Sequence, residues 1–334
     1  MNNHINKNKI SLIFPLLVFI IASLFFCGCR QEKANDAATK GYSVTDDFGN
    51  KLHFTEKPKR ILGTTANIEE ILLELVPPER MAAISEQNID KEISLMPDEA
   101  AKVKKVIPNL APLETIIAQH PDLVFMQIKN NQAAADTLTE MGVRVFRMKT
   151  PVTLPMIRDR IHIMSIAVGE IERGNQMLQK LDEKVAEVKK RTGNLPRDKK
   201  KIVIGFSSLG ASGSATGLFH NICEESGVVN GGAVSGISYA ERISDERIVK
   251  VNPDIFIVAD EGAANDYGKR TVKKIMEDAA LRNVKAVQNQ HFIIFKYRYK
   301  YSNSQHFGDA VTLIAKGAYP ELFEGAKNTS VKVQ

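Results

Sequence analysis

Hydrophobic and polar positions follow two interleaved rhythms along the chain. Short β-type runs, Arg60-Ile-Leu-Gly63, Met81 to Ile84, Asp122 to Met126 and Val143 to Phe146, alternate with stretches of helical period at Ile68 to Val76, Leu113 to Ala118 and Ala133 to Met141. Such alternation predicts parallel strands joined by crossover helices. A second series starts at Lys201-Ile-Val-Ile-Gly-Phe206, continues through Asp254 to Val258 and His291 to Phe295, and closes with a helix over Phe307 to Lys316. Two α/β lobes follow from this. Ahead of them, Tyr42-Ser-Val-Thr and Leu52-His-Phe flank Asp46-Asp-Phe-Gly-Asn50, the pattern of a β-hairpin around a Gly/Asn turn.

The most periodic segment lies between the lobes. Thr153 is placed to cap a helix, Pro155 falls in its first turn, and Ile157, Ile161, Met164 and Val168 recur at steps of four, three and four. One long helix over 153–169 is expected to join the lobes. Ile171, Leu178, Leu181, Val185 and Val188 continue a helical stripe that Thr192-Gly193 stops. These stripes read as core-facing packing. The expected organisation is then a signal peptide over 1–28, a tether over 29–41, an N-terminal lobe over 42–152, the joining helix over 153–169, a C-terminal lobe over 170–324 and a tail over 325–334.

An internal repeat supports the two lobes. Leu113 to Met126 aligns without gaps on Asp245 to Val258, so that Glu114 matches Glu246, Ile116 matches Ile248, Pro121 matches Pro253 and Asp122 matches Asp254. In both copies a short helix ends at a Pro-Asp that starts an apolar strand, because the residue before proline is pushed out of the helical region.

The first residues set the address. Lys7 and Lys9 precede an apolar stretch from Ile10 to Phe26, and Cys27-Gly28-Cys29 follows. The stretch falls short of the roughly 20 residues that span a bilayer core, so it reads as an export signal. Phe26-Cys27-Gly28-Cys29 resembles the lipobox of bacterial lipoproteins, with a small residue before the cysteine that is diacylated; Cys29 is the expected anchor. Of the 3 cysteines, only Cys223 then remains in the folded body, which excludes an internal disulfide. Loss of Lys7 and Lys9 takes the formal charge from +6 to +4, spread over mixed-sign stretches, and no basic block suggests nucleic acid.

Val44-Thr-Asp-Asp-Phe-Gly-Asn50, Lys57-Pro-Lys-Arg-Ile61, Ala66-Asn-Ile-Glu-Glu-Ile-Leu-Leu-Glu-Leu75, Asn109-Leu-Ala-Pro-Leu-Glu-Thr-Ile-Ile117, Pro121-Asp-Leu-Val124, Glu246 to Asp254 and Tyr319-Pro-Glu-Leu-Phe323 appear in that order. Through them the chain resembles the class III solute-binding proteins of ABC importers, which carry ferric siderophores, haem and cobalamin. The resemblance implies two Rossmann-like lobes joined by one helix, a ligand cleft between them and only a small closing motion. It also implies an extracytoplasmic, membrane-anchored monomer that delivers a metal-chelate ligand to a permease dimer with its ATPase subunits. Glu114 and Glu246 match the family's docking glutamates, one per lobe. No cofactor is implied, although the ligand itself would contain Fe or Co.

In α/β lobes ligands meet loops at the carboxyl ends of strands. That rule nominates Thr64, Thr65, Asn67, Gln87, Asn88, Gln127, Lys129 and Asn130 in the first lobe. In the second it nominates Ser207, Ser208, Tyr239, Arg242, Asp260, Glu261, Tyr297, Arg298, Tyr299 and Tyr301. Lys296-Tyr-Arg-Tyr-Lys-Tyr301 interleaves aromatic faces with cations, which suits a flat or anionic ligand: guanidinium binds carboxylate in a bidentate way and a tyrosinate can ligate haem iron. An edge strand with packed tyrosines and solvated lysines is the other reading of this segment. Catalysis finds little support, since the 7 histidines lack ligand spacing and no G-x-S-x-G or phosphate loop follows a strand. Two alternatives stand beside the carrier: a secreted α/β hydrolase using Ser207 or Ser214, and a zinc or manganese carrier, for which His220 and His306 remain open as ligands.

Overall fold

Asp46 builds the turn that opens the folded chain: its Oδ1 accepts hydrogen bonds from the backbone N–H groups of Phe48 (2.9 Å) and Asn50 (2.8 Å), and Gly49 takes φ +88°. This turn joins β1 (Tyr42–Thr45) to β2 (Lys51–Phe54) as an antiparallel hairpin with Val44 opposite Leu52. The computed structural model describes residues 41–129, 131–207, 210–237, 241–260 and 266–323. Cys29, Asn130, Ser208, Tyr239 and Glu261 lie outside them, as does the export signal.

The first lobe is a parallel sheet in the order β3 (Ile61–Gly63), β6 (Leu123–Gln127), β7 (Arg144–Met148), with β4 (Ile84–Ser85) and β5 (Val106–Ile107) as a second parallel pair. A bridge between Ile61 and Met81 carries β3 towards that pair. Its helices longer than four residues are α1 (Ala66–Leu75), α2 (Leu113–Ile117) and α3 (Gln132–Glu140). In the second lobe β8 (Ile202–Ser207), β10 (Val229–Asn230), β11 (Ile255–Asp260) and β12 (Phe292–Lys296) run parallel in the order β10-β8-β11-β12, and β9 (Gly210–Ser212) adds antiparallel to β8. The expected α/β class and two-lobe layout are both present.

The internal repeat is a shared joint. The chain leaves α2 through Ala118 and reaches His120 with φ +47°, and α7 (Asp245–Val251) is capped by Asn252 with φ +49°; each left-handed residue stands just before the matched proline. The matched aspartates then seat on the start of the neighbouring strand. Asp122 donates its N–H to Arg60 O (2.9 Å) and accepts from Lys59 N (2.7 Å) and Arg60 N (3.1 Å); Asp254 donates to Ile202 O (2.8 Å) and accepts from Ile202 N (2.9 Å). The Pro-Asp pair therefore ends a helix and fixes the register of two strands at once.

Two helices cross between the lobes. α4 (Leu154–Val168) starts where Thr153 Oγ1 accepts from Met156 N and stops at Gly169, which takes φ +73°. α5 (Ile171–Thr192) follows at once and folds back across α4 at Gly174, where a Cβ would sit 2.3 Å from Ser165 Cβ. Ile157, Ile161, Met164 and Val168 are all fully buried, as their spacing requires. Ile171 departs from expectation: it is 49% exposed, and the buried stripe of α5 runs instead through Met177, Leu181, Val185 and Val188. One hydrophobic cluster extends from Phe54, Ile68 and Phe125 through α4 and α5 to Val203, Ile222, Phe307 and Ile314, so the lobes share a core. Each large side chain buried there contributes about 1.5–3 kcal/mol.

Candidate functional site

The carboxyl end of β3 leads through Thr64 and Thr65 into α1, and the carboxyl end of β12 leads directly into the one-turn helix α9 (Tyr297–Lys300). These two corners, one per lobe, meet in a buried polar contact. Glu70 of α1 is wholly buried and accepts from Arg298 Nη2 (2.5 Å) and from Ser304 Oγ (2.7 Å). Its backbone carbonyl accepts from Gln305 Nε2 (2.9 Å), and Asn67 Oδ1 takes a further bond from Arg298 Nη2 (3.2 Å). Lys296 Nζ adds bonds to the carbonyls of Lys91 (2.8 Å) and Ser94 (3.1 Å). All of these donors come from the second lobe and all of the acceptors from the first.

This arrangement changes the role of three nominated residues. Arg298, expected to hold out a guanidinium for a ligand carboxylate, has a side chain only 7% exposed and committed to Glu70. Asn67 belongs to the same contact. Tyr299 turns towards the shared core, its ring meeting that of Phe295 edge-on at 6.2 Å, and burial holds its phenol above the usual range, which opposes a tyrosinate there. The segment is neither an open loop nor an edge strand. Tyr297 and Tyr301 are half-buried, with ring centroids 4.7 Å apart.

Next to this contact the first lobe opens a recess of about 440 Å³ at the carboxyl ends of its strands. Leu62, Ile107, Leu113, Ile116 and Met126 supply apolar walls, and Thr64, Thr65, Gln127, Lys129 and Asn131 supply polar groups. Four nominated residues, Thr64, Thr65, Gln127 and Lys129, are thus brought together. Gln127 Nε2 donates to Thr150 Oγ1 (2.6 Å), which fixes its amide. Gln87 is half-buried on the one-turn helix Glu86–Ile89. On the second lobe Arg242 is exposed and Ser207 is buried.

Glu69, absent from the nominations, also borders the recess. Its Oε1 accepts from Ser85 N (2.9 Å), and its Oε2 accepts from Ser85 Oγ (2.5 Å) and Asn88 Nδ2 (2.7 Å). Burial pushes its carboxyl up to about 7, against the lowering effects of those hydrogen bonds and of Arg298. Glu69 and Glu70 did leave a trace in the sequence as two adjacent acids set between the apolar Ile68, Ile71 and Leu72, where charge is expensive unless partnered.

At the rim, Leu110 is 79% exposed and adopts φ +53°, a conformation that costs a leucine about 1–2 kcal/mol. Glu114 and Glu246 lie exposed in the first turns of α2 and α7. Among the described residues the Ser207 hydroxyl has no hydrogen-bond partner and Ser214 Oγ pairs with Thr216 Oγ1 (3.1 Å), so neither hydroxyl is hydrogen-bonded to a base. Among the described residues no three His, Cys, Asp or Glu side chains are grouped to hold a metal ion; His306 Nδ1 pairs with Asp309 (2.9 Å) and His220 Nε2 approaches Glu224 (3.6 Å).

Comparison with known proteins matches the same architecture. The periplasmic binding protein family profile aligns with residues 61–299. The chain is 22% identical to a Bacillus subtilis protein named uncharacterized ABC transporter substrate-binding lipoprotein YvrC, over 75% of this chain and 82% of the relative. It is also 22% identical to the petrobactin-binding protein YclQ of the same organism, over 85% and 90% of the two chains. Among solved structures, a periplasmic binding protein from Veillonella parvula superposes with a TM-score of 0.69 at 20% identity, covering 83% of this chain and 97% of the other. The periplasmic heme-binding protein RhuT from Roseiflexus does so with a TM-score of 0.67 at 18% identity, covering 79% and 99%. With two α/β lobes, a recess at the strand ends and a family match across most of its length, this chain belongs to the periplasmic binding protein family and is a solute-binding protein rather than an enzyme.

Proposed function

We propose that the protein is the substrate-binding lipoprotein of an ABC importer and that its ligand is a metal chelate: a ferric siderophore, haem or a cobalamin. The observation that carries this reading is the recess itself. Its walls combine apolar side chains with amides, hydroxyls, one lysine and the buried Glu69 carboxyl, and the described residues offer no grouped donors for a bare ion. A site of that character suits an organic ligand that already holds its metal. Thr64, Gln127 and Lys129 would contact it from the first lobe and Arg242 and Tyr297 from the second. The names of the two Bacillus subtilis relatives point the same way, one to ABC transport and the other to a siderophore. Cys29 would carry the lipid that holds the protein outside the cell membrane, with residues 29–41 as a tether, and Glu114 and Glu246 would meet a permease dimer served by ATPase subunits.

The deciding experiment is native mass spectrometry of the protein purified from its own host, followed by calorimetric titration of the emptied protein with ferric chelates, haemin, cyanocobalamin and bare zinc. A bound organic mass, and affinity for a chelate, is the expected result. Stoichiometric capture of bare zinc with no chelate binding would replace this reading by the metal-ion carrier.

A further inference from the structure

The turn Pro108–Ala111 holds the most exposed large hydrophobic side chain among the described residues, Leu110, in a left-handed backbone conformation. Glycine or asparagine ordinarily occupies such a position, and Asn109 stands one residue away. The turn is held from both sides: Pro108 and Pro112 stiffen its ends, and Asn109 N donates to Glu86 Oε1 (3.3 Å). Leucine there brings both strain and uncovered apolar surface. Neither is offset within the folded chain, and strain of this kind concentrates at ligand clamps.

Leu110 nonetheless borders the recess, beside Ile107, Ala111 and Leu113. We propose that Leu110 is a ligand-contacting residue, an apolar prong on the rim that covers a hydrophobic face of the bound molecule. The inference rests on the chelate reading above and narrows it: the ligand presents an aromatic or alkyl face, as haem or an iron catecholate does, and is not a wholly hydrophilic chelate such as ferric citrate. The apolar residues near it in the chain, Ile107, Ala111 and Leu113, border the same recess, which favours the ligand over the permease as the occupant.

Two variants test it. Leu110→Gly suits the left-handed backbone and is expected to unfold at or above the wild-type temperature, so weaker binding in it cannot be blamed on misfolding. Leu110→Ser removes the apolar surface alone. Calorimetric titration with haemin, a ferric 2,3-dihydroxybenzoate complex, cyanocobalamin and ferric citrate is expected to show affinity for the best probe falling by roughly 5- to 30-fold in both variants, as loss of part of a leucine's apolar contact implies. Unchanged affinity for a chelate that the wild type binds overturns the inference and leaves the chelate reading standing. Unchanged affinity combined with lost uptake in cells assigns Leu110 to the permease and likewise overturns it. A wild type that prefers ferric citrate refutes the apolar-face assignment, and one that takes only bare zinc removes both readings together.

Discussion

Arg298 Nη2 lies 2.5 Å from Glu70 Oε1, with the carboxylate fully buried and the two residues on different lobes. Truncating one partner of a buried pair leaves the other charge without compensation, at a cost of about 3–5 kcal/mol. Arg298→Ala is therefore expected to lower the urea midpoint strongly, whereas replacing both residues, Glu70→Leu with Arg298→Met, is expected to recover much of the loss. Equilibrium urea unfolding of the two variants checks this. Equal destabilisation of both would show that the pair does not act as a unit.

Glu69 gives stability a dependence on pH. Below about pH 4.5 the folded and unfolded chains both hold its proton. As pH rises towards 7 the unfolded chain releases that proton while the folded chain keeps it, so folding grows less favourable, and above about 7 the full cost of a buried carboxylate is present. The interval from 4.5 to about 7 corresponds to about 3 kcal/mol. Glu69→Gln is expected to gain about 2 kcal/mol of this relative to wild type between pH 5 and pH 7.5, measured as the difference in unfolding free energy at the two pH values. An identical pH slope in both proteins would refute the assignment.

Glu114 and Glu246 occupy the same exposed position of the repeated helix-to-strand joint. Two weak carboxylate contacts made together would gain from effective concentration, and reversing both charges would set like charges against the cationic permease surface that the proposed docking requires. Glu114→Arg with Glu246→Arg is expected to abolish uptake of radiolabelled iron chelate while leaving calorimetric affinity for the ligand within about twofold, since neither side chain lines the recess. Normal uptake by the double variant would leave the glutamates as helix-start carboxylates only.

No helix among the described residues is long and apolar enough to cross a membrane. Two acyl chains on Cys29, as proposed, would be sufficient for attachment by themselves. Cys29→Ala is expected to move the protein from the membrane pellet to the soluble fraction without altering its thermal unfolding. Retention in the membrane at wild-type level, with normal processing, would reject the anchor.

Most of the architecture was legible because it rests on periodicity. The strands β3, β6, β7, β8, β11 and β12, the helices α1 to α5 and the Pro-Asp joint at Asp122 and Asp254 each follow from spacing that a single stretch of chain displays, whereas the two- and three-residue strands β5, β9 and β10 are too short to show a period. The candidate site was legible only as a set of strand ends. Arg298 does follow strand β12, as its position requires, yet its partner Glu70 is 228 residues away and nothing local announces the pairing. Tyr299 likewise carries no mark that sends it to the core rather than the cleft. Leu110 was hidden for a different reason: its left-handed backbone is held by the surrounding turn, and leucine is not a residue from which that conformation is read.

The cluster that runs unbroken through α4 and α5 limits how far the protein is modular. The lobes are architecturally two, but a cut at Gly169 would strip apolar surface from both halves, so neither half is a self-sufficient fragment. Melting should follow suit: with no boundary at which one lobe can let go while the other holds, the folded body is expected to come apart in a single calorimetric transition.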